Sequence, residues 1–384
     1  MTTLVPPLAD VRNAVRRLAP GLLALSHDLH AHPEPAWGEH RSSRRLAAYL
    51  AGAGLEVALP AYGLPTAFRA SAGSAGPLVV LCCEYDALAG LGHGCGHNVV
   101  AAAAAGAAAA LAPLVAQLGG RVVALGTPAE EGGGGKIELL RRHAFDGAEA
   151  ALLVHPGPHD QVRAAFRAAA SHAVLFRGRA AHAAMSPSSG RNALDAAVLT
   201  YQALGSARSG LGFGEQVTAV LVRGGTAPNV VPETAELRVM TRAVGSSGLV
   251  RLSRIVAQCA RAGALATGCE SRVVPGGAVY RELRTDRRLA DSLERHLREL
   301  GRSPRAADPR DLITAGSTDL GNVSHVVPVA HPKLAIGDVA PHSRAFAEAA
   351  RGPAGDRAVL DGATLLALTV LDVWASKPPE GEPS

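Results

Sequence analysis

Apolar residues in the first 165 positions follow two different spacings. Short uninterrupted apolar runs, which are typical of strands buried in a parallel sheet, occupy three segments: 78–81, 121–125 and 150–154. Helical spacing marks the segments around them: 4–29, 41–54, 99–118 and 136–143. This alternation predicts an α/β domain with a mixed sheet flanked by helices.

From about residue 166 the predicted order becomes strand, helix, strand, strand, helix, strand. The six segments are 171–179, 192–209, 216–223, 234–243, 247–262 and 270–274. This is the order of the ferredoxin-like unit. We therefore expect an inserted ferredoxin-like domain at 166–280, within a catalytic domain formed by 1–165 and 281–384. In the second part of the catalytic domain we predict three elements and a disordered tail: a helix at 286–301, a strand at 326–329, a helix at 361–375 and the tail at 377–384.

The composition narrows the class of protein. The chain has 384 residues, of which 48% are hydrophobic and 18% charged, as in a globular protein. Basic residues are scattered and aromatic residues total 3%, so we expect no nucleic-acid partner. Five cysteines are too few and too irregularly spaced for a disulfide framework. No signal peptide is evident, and the alanine-rich run 99–118 fits a buried helix better than a membrane span, so we expect a cytoplasmic protein.

The segment from Glu84 to His97 carries the strongest chemical signal. It reads Glu-Tyr-Asp-Ala-Leu-Ala-Gly-Leu-Gly-His-Gly-Cys-Gly-His. A carboxylate, Asp86, follows the first apolar run, and Cys95 and His97 lie two residues apart on a glycine-rich loop. A thiolate and an imidazole at this spacing can face one cation. The segment therefore predicts part of a metal site.

Polar residues also follow the next two predicted strands. Glu130 and Glu131 come after the second run, and His155 comes directly after the third. Sites in open α/β sheets lie beyond the carboxyl ends of the strands, so we expect these residues to converge with the Cys95 loop. One of the paired glutamates can bind a metal while its neighbour deprotonates a water molecule. The competing interpretation, a solvated acidic turn, is disfavoured by the flanking strand and glycines.

Five motifs together resemble the co-catalytic metallopeptidases, a family that includes carboxypeptidase G, hippurate hydrolase and p-aminobenzoyl-glutamate hydrolase. They are Glu84-Tyr-Asp-Ala-Leu, Gly94-Cys-Gly-His-Asn98, Thr127-Pro-Ala-Glu-Glu-Gly132, His155-Pro-Gly-Pro and Gly178-Arg-Ala-Ala-His182-Ala. Two later motifs are similar to the p-aminobenzoyl-glutamate hydrolase and dipeptidase branch: Gly225-Thr-Ala-Pro-Asn229-Val-Val-Pro232 and Gly316-Ser-Thr-Asp-Leu-Gly-Asn322. The resemblance covers nearly the whole chain, in order.

The resemblance implies two divalent metal ions. Cys95 would bridge them, and the four further ligands would be His97 and His155 on one ion and Glu131 and His342 on the other. Glu130 would be the general base, and Asp86 would orient His97. His331 competes with His342 for the fifth position. Thiolate and imidazole suit zinc, and manganese is the next expectation, with nickel and cobalt left open.

The inserted domain contributes two residues by the same resemblance. His182 would reach the active site of the partner subunit and stabilise the developing oxyanion, and Asn229 would contact the substrate from the lid. The alternative for His182 is an ordinary surface histidine. An exposed sheet edge in this domain would need protection, so we expect a homodimer joined through it.

The sequence thus predicts a metal-dependent amidohydrolase that cleaves the amide bond of an N-acyl or aminobenzoyl amino acid. A dipeptidase acting on dipeptides with basic or β-amino residues is the alternative within enzymes, and a non-catalytic ligand-binding relative is the alternative outside them. A nucleotide-binding protein is disfavoured, since Gly132-Gly-Gly-Gly-Lys136-Ile137 lacks the first glycine and the final Ser or Thr of a phosphate loop.

Overall fold

The computed structural model describes residues 8–376, which form two compact units, and the tail predicted at 377–384 lies outside the described residues. The first unit comprises the described residues up to Ala164, then Arg284–Ala307, and those from Asn322 onward; the second comprises Ala165–Leu283 and Asp308–Gly321. The helices are α1 (Leu8–Ala31), α2 (His40–Gly52), α3 (His97–Leu111), α4 (Val115–Leu118), α5 (Gly135–Arg141), α6 (Ala193–Ala207), α7 (Ser246–Thr267), α8 (Arg287–Glu299), α9 (Asp311–Thr314), α10 (Leu320–Val323), α11 (Arg344–Arg351) and α12 (Pro353–Ala375). The strands are β1 (Glu56–Ala58), β2 (Arg69–Ala72), β3 (Leu78–Cys83), β4 (Arg121–Gly126), β5 (Ala148–Leu152), β6 (His155–Gly157), β7 (Ala168–Arg177), β8 (Gln216–Arg223), β9 (Thr234–Ala243), β10 (Glu270–Pro275), β11 (Val329–Ala330) and β12 (Lys333–Ala335).

The first unit is built on a six-stranded mixed sheet with the order β1-β2-β4-β3-β5-β11. Strands β4, β3, β5 and β11 are parallel, and β1 and β2 extend the sheet with antiparallel pairs. The parallel strands are almost fully buried, which explains their continuous apolar sequences. The predicted mixed sheet flanked by helices is confirmed.

The alanine-rich helix α3 lies at the centre of this unit. All of its residues are buried. Alanine favours the helical conformation, and its small side chain lets neighbouring helices pack closely on every side. A Cβ on Gly106 would lie 2.7 Å from the Leu22 side chain and 3.0 Å from Ala363, so α1 and α12 leave no room there. The prediction of one helix over 99–118 was wrong in one respect. The helix is interrupted at Ala112–Leu114, where Pro113 cannot donate a backbone hydrogen bond.

Among the residues that the structure describes, two apolar helical segments are long enough to cross a membrane: His97–Leu118 and Pro353–Ala375. Their most apolar windows are 72% and 67% buried inside the protein. Such burial is what the core helix of a globular domain requires, and it agrees with the sequence interpretation of the first segment as a buried helix.

The second unit has the strand and helix order predicted for the insertion. Its sheet has the order β10-β7-β9-β8, and every neighbouring pair is antiparallel. Helices α6 and α7 pack on it through a separate apolar core that includes Leu204, Leu237 and Val256. This arrangement is the ferredoxin-like one.

The second unit is larger than predicted: it spans Ala165–Leu283 and includes one further segment. Residues 308–321, which the sequence analysis placed in the catalytic domain, belong to the second unit. Two arginine side chains of the second unit bind this segment. Arg167, just before β7, donates to the carbonyl of Ala315, and Arg242, in β9, donates to the hydroxyl of Ser317. These hydrogen bonds join residues that are far apart in the sequence, so no local sequence pattern predicts them.

Candidate metal centre

The carboxyl ends of three parallel strands place polar residues at one edge of the sheet. Asp86 follows β3, the pair Glu130 and Glu131 follows β4, and His155 follows β5. Because β3 lies between β4 and β5 in register, their carboxyl ends are adjacent. Asp86 joins two of the groups directly: its Oδ2 atom accepts a hydrogen bond from the backbone N–H of Glu131 at 2.9 Å.

The loop that carries Cys95 and His97 is fixed by the glycine between them. Gly96 has a φ of +78°, and a Cβ at this position would lie 2.5 Å from Pro156. Only glycine fits such a left-handed, closely packed position without strain. Because α3 starts at His97, Cys95 and His97 lie on the two sides of a sharp turn and face the same edge of the sheet as His155.

The turn that carries the two glutamates is held by a residue that the sequence analysis did not identify. Ala129 has a φ of +57°, which is strained for a residue with a Cβ. Its backbone N–H donates to the Oε1 atom of Glu39 at 2.8 Å, and Glu39 is fully buried. The Glu39 carboxylate therefore stabilises the backbone conformation that precedes Glu130 and Glu131.

His342 joins this group from the loop before α11. Its backbone N–H donates to the carbonyl of Gly94 at 2.9 Å, and its Nε2 atom lies 3.5 Å from the Oε1 atom of Glu131. His331 has a different environment, since its ring stacks on that of His155 at a centroid distance of 5.5 Å. Of the two histidines that compete for the fifth position, the structure places His342 beside Glu131.

Among the described residues, possible ligand atoms form two clusters that share one thiol. Cys95, His97 and His155 form the first, and Cys95, Glu131 and His342 form the second; within each cluster the ligand atoms lie within 4.8 Å of one another. His97, Glu130 and Glu131 form a further group by the same measure. A shared ligand between two sets of three is the arrangement that a pair of neighbouring metal ions requires.

Two buried atoms of these clusters support a cation in this position. The Nε2 atom of His97 and the Oε1 atom of Glu131 are buried and make no hydrogen bond, and each has an ion-pair neighbour only at 3.5 Å. Buried polar atoms are rarely left without a partner unless an ion or water satisfies them. Sulfur, imidazole nitrogen and carboxylate oxygen are suitable donors for zinc and related divalent ions.

Hydrogen bonds also select the tautomer of both histidines in the first cluster. The Nδ1 atom of His97 lies 2.9 Å from the backbone oxygen and 3.1 Å from the Oδ1 atom of Asp86, and the Nδ1 atom of His155 lies 2.7 Å from the carbonyl of Pro156. Oxygen atoms of this kind accept, so each Nδ1 carries the proton. In the neutral ring each Nε2 then presents a lone pair, as metal-ligating histidines do.

The electrostatics of the site agree with this assignment for His155. Burial lowers the pKa of His155 to about 4, so this imidazole is neutral at pH 7 and its lone pair is available. Burial acts in the same direction on His97, but Asp86 and Cys95 outweigh it and hold the pKa of His97 well above its usual value. The anionic surroundings that attract a proton to His97 also favour a metal cation.

His182 and Asn229 lie together in the second unit. The backbone N–H of Ala183 donates to the Asn229 carbonyl at 3.0 Å, and both His182 and Asn229 lie at least partly at the surface. The Nδ1 atom of His182 accepts hydrogen bonds from the backbone N–H groups of Ala184 and Met185 at 3.2 Å and 3.1 Å. The proton of the neutral ring is therefore on Nε2, which leaves an N–H donor directed away from its own turn.

Three residues near the candidate ligands were missed by the sequence analysis: Glu39, Glu84 and Lys136. Glu39 lies in a Trp-Gly-Glu segment without any recognisable motif, and its partner Ala129 is 90 residues away. Glu84 and Lys136 form a buried ion pair with an Nζ–Oε1 distance of 2.6 Å. Two signals were available: Glu84 opens one of the motifs quoted above, and Lys136 is one of three lysines among 38 basic residues.

Known proteins resemble this chain over most of its length. The family described as peptidase family M20/M25/M40 matches residues 84–369. Xaa-Arg dipeptidase of Mus musculus is 38% identical over 380 residues, which cover 94% of this chain and 88% of that protein. One of the subunits of p-aminobenzoyl-glutamate hydrolase of Escherichia coli is 37% identical over 265 residues, which cover 62% of this chain and 53% of that protein.

The fold has a counterpart among solved structures. The aminobenzoyl-glutamate utilization protein from Klebsiella pneumoniae superposes with a TM-score of 0.74 at 22% identity, covering 94% of this chain and 97% of that one. The family match includes the strand ends, the Cys95 loop and His342, and a relative with over 30% identity spans nearly the whole chain. The chain therefore belongs to peptidase family M20/M25/M40 and is a hydrolytic enzyme of the metal-dependent amidohydrolase type.

Proposed function

We propose that this enzyme binds two divalent ions, zinc or manganese, and hydrolyses an amide bond next to a free amino-acid carboxylate. Cys95 would be shared by the two ions, with His97 and His155 on one side and Glu131 and His342 on the other. The observation that carries the proposal is the pair of ligand clusters joined at Cys95. Membership of a metallopeptidase family supports divalent ions, and the donor set fits them.

In the proposed reaction, Glu130 transfers the proton. Bound divalent ions would supply Lewis-acid polarisation of the scissile carbonyl and of a water molecule. Glu130 would accept the proton of that water on a carboxylate oxygen as the oxygen attacks the carbonyl. Glu130 would then deliver the proton to the leaving nitrogen. It is 8% exposed and lies within 4.8 Å of ligand atoms of His97 and Glu131, so it is close to the reacting groups and shielded from bulk water.

Two substrate classes fit the relatives. The mouse protein is named as an Xaa-Arg dipeptidase and the bacterial one as a p-aminobenzoyl-glutamate hydrolase subunit. The match to the dipeptidase covers a larger share of both proteins than the match to the hydrolase subunit does. A dipeptide with a basic carboxyl-terminal residue is therefore a second candidate substrate, beside N-acyl amino acids. Both classes share an amide bond whose leaving amine belongs to a free amino acid.

A metal-reconstitution screen tests the proposed reaction. The protein is stripped with a chelator, reloaded with Zn²⁺ or Mn²⁺, and offered N-acyl amino acids, p-aminobenzoyl-glutamate and Xaa-Arg dipeptides, with release of free amino acid as the readout. We expect no release from stripped protein and restored release after reloading. Each substrate is matched with its carboxyl-terminal amide, which should be cleaved poorly. Hydrolysis that is insensitive to stripping, or equal for acid and amide, would contradict the proposal.

We also propose a homodimer joined through the second unit. Strand β8 lies at the edge of its sheet and has three exposed apolar residues, Val220, Leu221 and Val222. Helix α6 exposes Val198, Leu199 and Tyr201. An exposed apolar edge strand is an unprotected pairing surface, and a second copy placed by two-fold symmetry would cover it. His182 and Asn229 would then act as substrate contacts from the partner subunit.

A further inference from the structure

The first unit contains an ion pair, Lys136 with Glu84, that is almost completely buried. Lys136 is 0% exposed, Glu84 is 1% exposed, and the Lys136 Nζ atom lies 2.6 Å from the Glu84 Oε1 atom. Burying two opposite charges is costly unless the geometry repays it, and replacing such a pair by apolar residues is often neutral or stabilising. Stability alone therefore does not explain why this buried ion pair is present.

The position of Lys136 is set by the turn that carries the two candidate glutamates. A Cβ on Gly135 would lie 1.7 Å from the carbonyl oxygen of Pro128, so the start of α5 is pressed against this turn. Lys136 follows directly and extends into the interior. The other basic residues of the chain are almost all arginine, 35 of 38. Lysine has a compact ammonium group, whereas the five donors of a guanidinium would all need acceptors in this buried position.

Glu84 connects this lysine with the metal-facing side of the site. Its Oε2 atom lies 3.5 Å from the Nε2 atom of His97, which is the nitrogen that makes no hydrogen bond. A Glu84 carboxylate oxygen also lies within 4.8 Å of one of Glu130. Glu84 is outside both ligand clusters, so its carboxylate is a fixed negative charge beside the ions and Lys136 is a fixed positive charge behind it.

We propose that Lys136 and Glu84 together set the affinity of the centre for divalent ions, with Glu84 strengthening and Lys136 weakening their binding. This inference rests on the proposed function. In the metal-free protein, Lys136 neutralises the Glu84 carboxylate and so keeps the empty site from holding an uncompensated buried anion. In the loaded protein, the same ammonium competes with the ions for that carboxylate.

The two halves of the pair should therefore have opposite effects on metal binding. Glu84→Gln removes the attraction and leaves the ammonium, so the Kd for Zn²⁺ should rise about 10- to 100-fold, the range known for residues that surround metal ligands. Lys136→Met removes a positive charge near the ions at similar side-chain length, so the Kd should fall, by roughly 10-fold for the loss of one like charge. The double variant should lie between the two single variants. A purely structural pair would give weaker binding in every case.

The experiment is a Zn²⁺ titration of each full-length variant against a competing chelator of known affinity, combined with Tm of the stripped and loaded protein. Lys136→Met should lower Tm in stripped protein, because Glu84 loses the cation closest to it, and Zn²⁺ should restore it. Arg141→Met is the control, since Arg141 is an exposed cation on the same helix, paired with Glu138. It should leave the Kd unchanged.

The change in Zn²⁺ affinity of the two variants tests the proposed role of the pair. Tighter binding by Lys136→Met together with weaker binding by Glu84→Gln supports the inference. Unchanged or weaker binding by Lys136→Met overturns it and leaves the proposed function intact. If Lys136→Met does not fold without metal, the double variant decides, because it must bind Zn²⁺ more tightly than Glu84→Gln. Wild-type protein that binds no Zn²⁺ through the Cys95 clusters would overturn the proposed function itself.

Discussion

Glu130→Gln is expected to reduce turnover by at least about 100-fold while leaving the metal content unchanged. The substitution keeps the shape of the side chain and removes the group that accepts the proton from water. Glu130 is assigned as a base and not as one of the five ligands, so the ions should stay bound. Metal analysis of the purified variant and its rate on the best substrate of the screen, measured on the same sample, check both parts.

Glu138→Gln is the matched control for this variant. Glu138 lies eight residues further along, on α5, where it pairs with Arg141 at the surface. It should retain near-normal rate and metal content, because its charge is partly exposed to solvent and its ion pair contributes little. A Glu130→Gln enzyme with normal turnover would refute the assignment of the base, and one that loses its metal would make Glu130 a ligand.

His182→Ala should be nearly inactive and fully metallated. Its ring presents an Nε2–H donor because Nδ1 accepts from two backbone N–H groups. A donor directed at a developing oxyanion is worth about 10² to 10³ in rate. His182 lies in the second unit and in none of the ligand clusters, so the substitution should not affect metal binding.

Subunit mixing shows in which chain His182 acts. His182→Ala and Glu130→Gln are each inactive, but a mixed dimer has one site with both wild-type residues if His182 acts on the partner subunit. Random exchange should then restore about a quarter of wild-type activity. Absence of recovery, with exchange demonstrated by differently tagged chains, would place His182 in its own chain's reaction or outside the reaction.

The sequence predicts those parts of the site that depend on local order. Strands β3, β4 and β5 are continuous apolar runs, and the residues that follow them must lie at one edge of a parallel sheet. The Cys-Gly-His loop carries its own geometry, because Gly96 alone can adopt the required turn. These features are set by neighbours in sequence, so a single chain is enough to recognise them.

What the sequence could not predict depends on contacts between distant segments. Glu39 acts on Ala129 through one backbone hydrogen bond, and Lys136 reaches Glu84 across the interior. The second unit also recruits residues 308–321 through Arg167 and Arg242. Short strands β1 and β2 escaped notice because three or four partly exposed residues leave no periodic pattern. Burial of charge and antiparallel edge pairing become visible only in the folded chain.

A two-ion site that shares Cys95 is central to the proposed function. Anomalous diffraction from crystals of Zn²⁺-loaded protein, recorded on both sides of the zinc absorption edge, tests it most directly. We expect two peaks per chain about 3.5–4 Å apart. One should be bounded by Cys95, His97 and His155, and the other by Cys95, Glu131 and His342. A single peak, or two peaks of which either lies away from the Cys95 thiol, would contradict a shared thiolate ligand.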